Sequence, residues 1–346
     1  MAWAAAIAGC SPDSLLDFSA SINPLGPPAS VVQAMTEALG QLRHYPDPSY
    51  TSLRHALADY HQVPADWVLP GNGAAELLTW AARDIAADGS CHLLTPAFGD
   101  YGRSLAAFEV PILPWPLALE GVGAPHSVDP WPEPEAASIL LNNPHNPTGR
   151  LFQIASLEPL LERFATVIVD EAFMDFVLPD QQQSLTRYLS RYPNLVVLRS
   201  LTKFYTLPGL RIGYALGHPD RLGRWQGWRD PWPVNALAAA AAIAAVGDTA
   251  FQTRTWQWLP AARRMLFDGL QAIPGLSPLA GAANYLLVKT TTPAPLLQER
   301  LLRSHQVLIR DCVSFAELGA NYFRVAVRTE AENDRLLTAL RQGIEV

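Results

Sequence analysis

Five short stretches of this sequence hold residue types that could do chemistry together. The first is Arg199-Ser-Leu-Thr-Lys-Phe-Tyr-Thr-Leu-Pro-Gly-Leu-Arg211. Lys203 follows an apolar run, with hydroxyls at Ser200 and Thr202 and a guanidinium at Arg211. Most lysines stay on the surface. One just past a buried strand suits a Schiff-base amine instead, with Ser200, Thr202 and Arg211 gripping a phosphate. The second stretch is Val167-Ile-Val-Asp170. A carboxylate ending an apolar strand needs a partner. A pyridinium nitrogen would serve, and so would the first N–H groups of a following helix. The third, Asn142-Asn-Pro-His-Asn146-Pro-Thr-Gly149, is either a plain turn or one that offers the Asn146 amide to a ring oxygen. The fourth, Gly71-Asn-Gly73-Ala74, opens a helix, where bare N–H groups and the helix dipole favour a phosphate. In the fifth, Thr95-Pro-Ala-Phe98, the aromatic is either core or a ring that stacks on a flat ligand.

These side chains need a scaffold. Helical spacing marks Val31, Val32, Met35, Ala38, Leu39 and Leu42, with Pro27-Pro28 just ahead. A second helix reads from Ala74 to Ala87. Short apolar runs lie between helices at Cys91–Thr95, Ser138–Asn142, Thr166–Asp170, Leu195–Arg199 and Arg211–Ala215. This alternation predicts an α/β fold with a mostly parallel sheet. In such sheets the loops at the carboxyl ends of strands collect ligands. Past residue 235 the pattern changes. A long helical stretch precedes strands at Asn284–Lys289, Val307–Arg310 and Tyr322–Val327, then a helix from Glu330 to Arg341. The expectation is a large domain over 45–235 and a smaller α+β domain over 236–346 that residues 1–44 rejoin.

Composition narrows the function classes. At roughly 150 residues per domain, 346 residues give about two domains. A chain that is 49% hydrophobic and 16% charged is not a disordered one. A net charge of −7 argues against a broad nucleic-acid surface, while leaving room for a small phosphorylated ligand. Cys10, Cys91 and Cys312 make no zinc pattern and suit a reducing cytoplasm. His44, His55 and His61 miss the spacing that gathers side chains on one helix face, so no metal is expected. The longest apolar run, Ala236 to Val246, is eleven residues, against about 20 for a membrane span. It reads as a buried helix. The apolar start, Met1 to Cys10, lacks a basic leader and reads as an ordinary helix. Trp225, Trp228, Trp232, Trp256 and Trp258 read as packing at a domain junction or dimer contact.

The order of these motifs along the chain is more specific than any one of them. A glycine-rich helix start, an aromatic, Asn-Pro-Thr-Gly, strand-Asp, Ser-x-Thr-Lys and then Arg resembles the fold-type I pyridoxal-phosphate enzymes of the aspartate aminotransferase superfamily. The chain is similar to the branch holding histidinol-phosphate aminotransferases and L-threonine O-3-phosphate decarboxylases. The decarboxylase likeness is the stronger and covers almost the whole chain. It is carried by Ser14-Leu-Leu-Asp-Phe-Ser-Ala-Ser-Ile-Asn-Pro-Leu-Gly26, Tyr45-Pro-Asp, His61-Gln-Val-Pro64 and Asp170-Glu-Ala-Phe-Met-Asp-Phe176. Ala283-Asn-Tyr-Leu-Leu287, Leu308-Ile-Arg310 and Tyr322-Phe-Arg324-Val-Ala-Val-Arg328 extend it.

The resemblance implies pyridoxal 5′-phosphate as cofactor, held as a Schiff base by Lys203. Asp170 would face the pyridine nitrogen, Asn146 the ring O3′, and Phe98 would stack on the ring. Backbone N–H groups at Gly73 and Ala74, with Ser200, Thr202 and Arg211, would hold the cofactor phosphate. Tyr45 would reach it from a second subunit, which makes the protein a homodimer. Asn23, Arg310 and Arg324 would bind the anionic ends of a small phosphorylated amino-acid substrate, with no nucleic acid or membrane involved. The implied reaction is decarboxylation of L-threonine O-3-phosphate to (R)-1-amino-2-propanol O-2-phosphate, a linker in cobalamin. The alternative is aminotransfer on histidinol phosphate or a related amine. A non-catalytic cofactor-binding protein is a third class, but it would not need Lys203, Asp170, Asn146 and Arg211 together.

Three departures bear on this. Phe173 stands where aminotransferases carry a tyrosine, as it does in the decarboxylases. The decarboxylases' usual initial His-Gly-Gly-Asn segment does not precede Ser14, so either the start is misassigned or substrate phosphate is held differently. His145 stands where the family's turn has Asn, and little effect is expected.

Overall fold

In the computed structural model, described over residues 1–119 and 136–344, seven strands form one mixed sheet. Their order is Val68–Gly71, Gly213–Gly217, Leu195–Ser200, Thr166–Asp170, Ser138–Asn142, Cys91–Thr95 and Ile112–Pro116. The last five pair in parallel, whereas Gly213–Gly217 runs antiparallel to both neighbours. The sheet is therefore mostly parallel, as expected. Three of the anticipated strands have the boundaries read from sequence, because each is a run buried on both faces. Alternate residues serve opposite faces: Val167 and Val169 pack into one core cluster and Ile168 into the other.

Three further strands shift by a single residue at one end or both, and two differ by more. The strand expected from Arg211 begins at Gly213, since Arg211 takes a left-handed conformation (φ 56°) that closes the preceding turn. The strand expected over Val307–Arg310 divides. Val307–Leu308 pairs in parallel with Leu16–Asp17, and Arg310–Asp311 pairs with Tyr322–Ala326. Val68–Gly71, Ile112–Pro116 and Leu276–Pro278 are strands that the sequence reading did not identify. Prolines at 70, 114, 116 and 278 disguise them, and proline is tolerated at sheet edges and strand ends.

A second, antiparallel sheet runs Arg310–Asp311, Tyr322–Ala326, Tyr285–Thr290, Leu276–Pro278. The N-terminal segment is stitched to it: Phe18 N–H donates to Leu308 O, and Ala326 N–H donates to Phe18 O. This pairing carries residues 19–23 back to the carboxyl edge of the large sheet. Helix Ala236–Gly247 is opened by Asn235, whose Oδ1 accepts from Ala238 N at 2.8 Å. It buries Ala238, Ala241, Ala242 and Ala245 and packs against helix Ala29–Ala38. No single helix among the described residues is long and apolar enough to cross a membrane.

Candidate active site

Strands Ser138–Asn142, Thr166–Asp170 and Leu195–Ser200 end side by side at one edge of the sheet, beside a cavity of about 180 Å³. Phe98, Asn146, Asp170, Lys203 and Arg324, five of the residues expected from sequence, line it. A groove of about 410 Å³ between Leu25, Trp258 and Met265 is larger, but its lining holds no lysine and no cation to receive an anionic ligand. Chemistry rather than volume marks the site.

Asp170 is buried at the end of its strand. Its Oδ1 accepts from Ala172 N at 2.9 Å and its Oδ2 from Tyr101 Oη at 2.8 Å. Burial raises its pKa, opposed by those two bonds and by the charges of Lys203 and Arg199. The carboxylate therefore calls for a further cation or donor, as a protonated ring nitrogen would be.

Lys203 sits in the short helix Leu201–Phe204, which continues directly from strand Leu195–Ser200. Ser200 is the N-cap: its Oγ accepts from Thr202 N, and also lies 2.7 Å from Thr202 Oγ1. Lys203 Nζ donates to the same Oγ at 3.4 Å. Burial lowers the pKa of the amine, and the charges of Arg211 and Arg324 lower it further, against the pull of Asp170. A lowered pKa leaves more of the amine as the free nucleophile.

Gly73 opens helix Gly73–Ala86 with φ +75°, and the Arg211 guanidinium lies over it. A Cβ on Gly73 would stand 2.5 Å from Arg211 Nη2, and one on Gly213 2.7 Å from Ala74 N. Bare backbone is thus what lets the helix start, the arginine and the Ser200–Thr202 turn converge. Such a group of N–H, hydroxyl and guanidinium donors is built for an oxyanion.

Across the cavity, the half-buried Arg324 donates to Asn146 Oδ1 and stands 4.9 Å over the Tyr285 ring. Its Nε has no partner. Arg310 is directly opposite Arg324 in the antiparallel ladder and is exposed, donating to Ser314 Oγ at 3.1 Å. Two like charges directly opposed destabilise a sheet unless an anion joins them. Phe173 lines the cavity and offers no hydroxyl; the nearby Tyr285 Oη donates to His145 O at 2.8 Å.

Besides Arg310 and the cradle residues Gly73, Ala74, Ser200, Thr202 and Arg211, which border the site without lining this cavity, two further expected residues stand outside it. Asn23 does not line it. Its Nδ2 donates to Phe204 O (2.9 Å) and Thr255 Oγ1 (3.0 Å), and its Oδ1 accepts from Leu25 N. Its own N–H donates to Lys203 O. These bonds tie the N-terminal segment to the lysine turn and leave the amide nothing for a ligand, which corrects the substrate-binding expectation. Tyr45 is 80% exposed, beside Trp232, and does not reach the cavity of its own chain.

The sequence reading missed Ser21 and Tyr101. Ser21 lines the cavity, and its buried hydroxyl has no partner. Tyr101 follows Phe98 by three residues, a helical spacing that could have flagged it.

Comparison with known proteins agrees with this geometry. The family model for aminotransferase class I and II matches residues 13–340. The chain is 40% identical to threonine-phosphate decarboxylase of Salmonella typhimurium, over 98% of this chain and 93% of that one. It is 28% identical to the adenosylcobalamin biosynthesis bifunctional protein CobDQ of Leptospira interrogans, over 96% of this chain and 39% of that longer one. Among solved structures, histidinol-phosphate aminotransferase of Clostridium acetobutylicum superposes with a TM-score of 0.86 at 26% identity, over 96% of this chain and 99% of that one. The chain belongs to the aminotransferase class I and II family.

Proposed function

We propose that this protein decarboxylates L-threonine O-3-phosphate to (R)-1-amino-2-propanol O-2-phosphate, using pyridoxal 5′-phosphate, in cobalamin biosynthesis. The 40% identity to a threonine-phosphate decarboxylase over nearly the full length of both chains is the observation that carries it. The residues fit the cofactor. Lys203 supplies the amine, Asp170 the carboxylate for the ring nitrogen and Asn146 an amide. Gly73, Ala74, Ser200, Thr202 and Arg211 supply donors for the phosphate, and Phe98 an aromatic face. When bound, the cofactor supplies an electron sink for the pair released as a bond to the substrate α-carbon breaks.

The protein's part is to choose that bond. The bond that breaks must stand perpendicular to the cofactor ring. Arg310 and Arg324 form one dicationic site, matched to a phosphate dianion. Gripping the phosphate leaves the carboxylate free to turn out of the ring plane. Phe173 supplies no phenol, so the ring O3′ takes no bond from that position. Lys203 Nζ is the group placed to return a proton to the α-carbon once CO₂ has left.

Val32, Leu39, Leu42 and Ile243 are exposed apolar residues on helices Ala29–Ala38 and Ala236–Gly247 and the turn between Leu39 and Arg43. With Tyr45 they support a homodimer in which Tyr45 reaches the partner's site. Cys10, Cys91 and Cys312 are free thiols, which suits a cytoplasmic protein.

The test is a single turnover of cofactor-loaded protein with L-threonine O-3-phosphate, following CO₂ and cofactor absorbance together. CO₂ release with the aldehyde form regenerated is the expected result. Conversion to the pyridoxamine form without CO₂ would replace this reading with an aminotransferase.

A further inference from the structure

The Asp170 carboxylate is ordinarily described by what it does to a ring nitrogen. Here it is itself held by a group on another element. Tyr101 lies in helix Gly99–Ala106, is 2% exposed and lines the cavity. Its Oη donates to Asp170 Oδ2 at 2.8 Å. Asp170 Oδ1 is taken by Ala172 N. The other charges facing Asp170 are Lys203 and Arg199, and neither hydrogen-bonds to it. Asn142, its partner on the adjacent strand, turns its Nδ2 to Pro144 O. Tyr101 is therefore the side-chain donor to this carboxylate.

The same ring has a second contact. Phe98, three residues earlier and the N-cap of the same helix, meets Tyr101 edge to face, with centroids 5.5 Å apart at 85°. Burial first, then the charge of Asp170, push the phenol well above its ordinary pKa, so it stays a donor throughout the working pH range.

We propose that Tyr101 is a positioning residue that keeps Asp170 ionised against the cofactor's ring nitrogen while fixing the Phe98 ring that stacks on it. This rests on the cofactor assignment above. A carboxylate that accepts a phenol hydrogen bond is a weaker base. It leaves the proton on the ring nitrogen, which keeps the ring a strong electron sink. Without the phenol, Asp170 becomes the better base and draws that proton towards itself.

The test uses Tyr101→Phe holoenzyme loaded with pyridoxal 5′-phosphate carrying ¹⁵N in the ring. In the wild type the ring resonance sits at the protonated position. In Y101F it moves towards the unprotonated one, the cofactor dissociation constant rises roughly ten- to hundredfold, and kcat falls with little change in KM. Phe98→Leu weakens cofactor binding but leaves the ¹⁵N position alone, which separates the hydrogen bond from general disturbance of the pocket. If Y101F does not fold, 3-fluorotyrosine at position 101, a stronger donor of nearly the same shape, holds the ring nitrogen protonated to higher pH than the wild type does. A variant with wild-type ¹⁵N position and wild-type affinity overturns the proposal. An unprotonated ring nitrogen in the wild type would instead overturn the role given to Asp170.

Discussion

Replacing Arg199 by methionine should loosen the core beneath the site by several kcal/mol. Arg199 is 2% exposed and is held by two carboxylates on the loop that follows Asp170. Nη1 donates to Glu171 Oε2 at 2.8 Å, and Nη2 donates to Asp175 Oδ1. Both carboxylates are as deeply buried as the arginine. Methionine keeps most of the length and none of the charge, so the loss is chiefly electrostatic. Stripping one partner from a buried ion pair costs about 3–5 kcal/mol. Two carboxylates depend on this guanidinium, which points to the upper end. Ser184 Oγ and Leu185 N still donate to Glu171, which limits the damage. Urea denaturation of wild type and R199M from about pH 5 to about pH 8 measures it. The pH sense also follows. Burial raises the pKa of Glu171, and Arg199 is the strongest pull the other way. Without Arg199 it rises further. Folded protein then holds a proton that the unfolded chain has released, so stability falls as pH climbs above the ordinary carboxylate range. The gap to wild type should be smallest near pH 5 and widest near pH 8. A gap under about 1 kcal/mol, well short of that range, or one that narrows with rising pH, refutes the reasoning.

Gly73→Ala should raise the cofactor dissociation constant at least tenfold, because the new Cβ meets Arg211 Nη2 at 2.5 Å and φ is +75°. Equilibrium dialysis tests this, and unchanged affinity counts against the cradle. Burial, then the nearby Arg150 charge, lowers the His145 pKa to about 3, so its NMR ring signals should stay flat from about pH 5 to pH 8. A titration midpoint inside that window would show the imidazole to be solvated. Borohydride reduction of the holoenzyme followed by peptide mapping should label Lys203 and spare the exposed Lys289, the other lysine in the chain. Label at Lys289 would separate amine reactivity from the cavity.

Much of the site was legible because its parts are local. Asp170 ends one strand and Lys203 stands three residues past the end of another, and such apolar strands announce themselves by composition. Gly73 and Arg211 were legible as types, but their contact was not, since it joins residues far apart in the chain. Asn23 was expected to bind an anionic end of the substrate, and nothing local reveals that its amide is engaged by the lysine turn. Sequence can mark a position without saying which way its side chain points, and here the amide faces Phe204 O and Thr255. Tyr101 was hidden because a buried tyrosine in a helix looks like core until its hydroxyl is seen to end on Asp170. The opposition of Arg310 and Arg324 depends on ladder register, which no local pattern encodes.

The parallel pairing of Leu16–Asp17 with Val307–Leu308 sets a schedule for biosynthesis. The two partners are about 290 residues apart. At about 5–20 residues per second, the first strand leaves the ribosome some 15–60 s before its partner exists. The large sheet, complete by Gly217, can assemble in that interval. Residues 19–23, which close the lysine turn through Asn23, have by then no second sheet to anchor them. A nascent chain stalled before residue 307 would hold Lys203 on a finished sheet yet lack the anchored segment beside it. Productive assembly of the site is thereby deferred until almost the whole protein has been made.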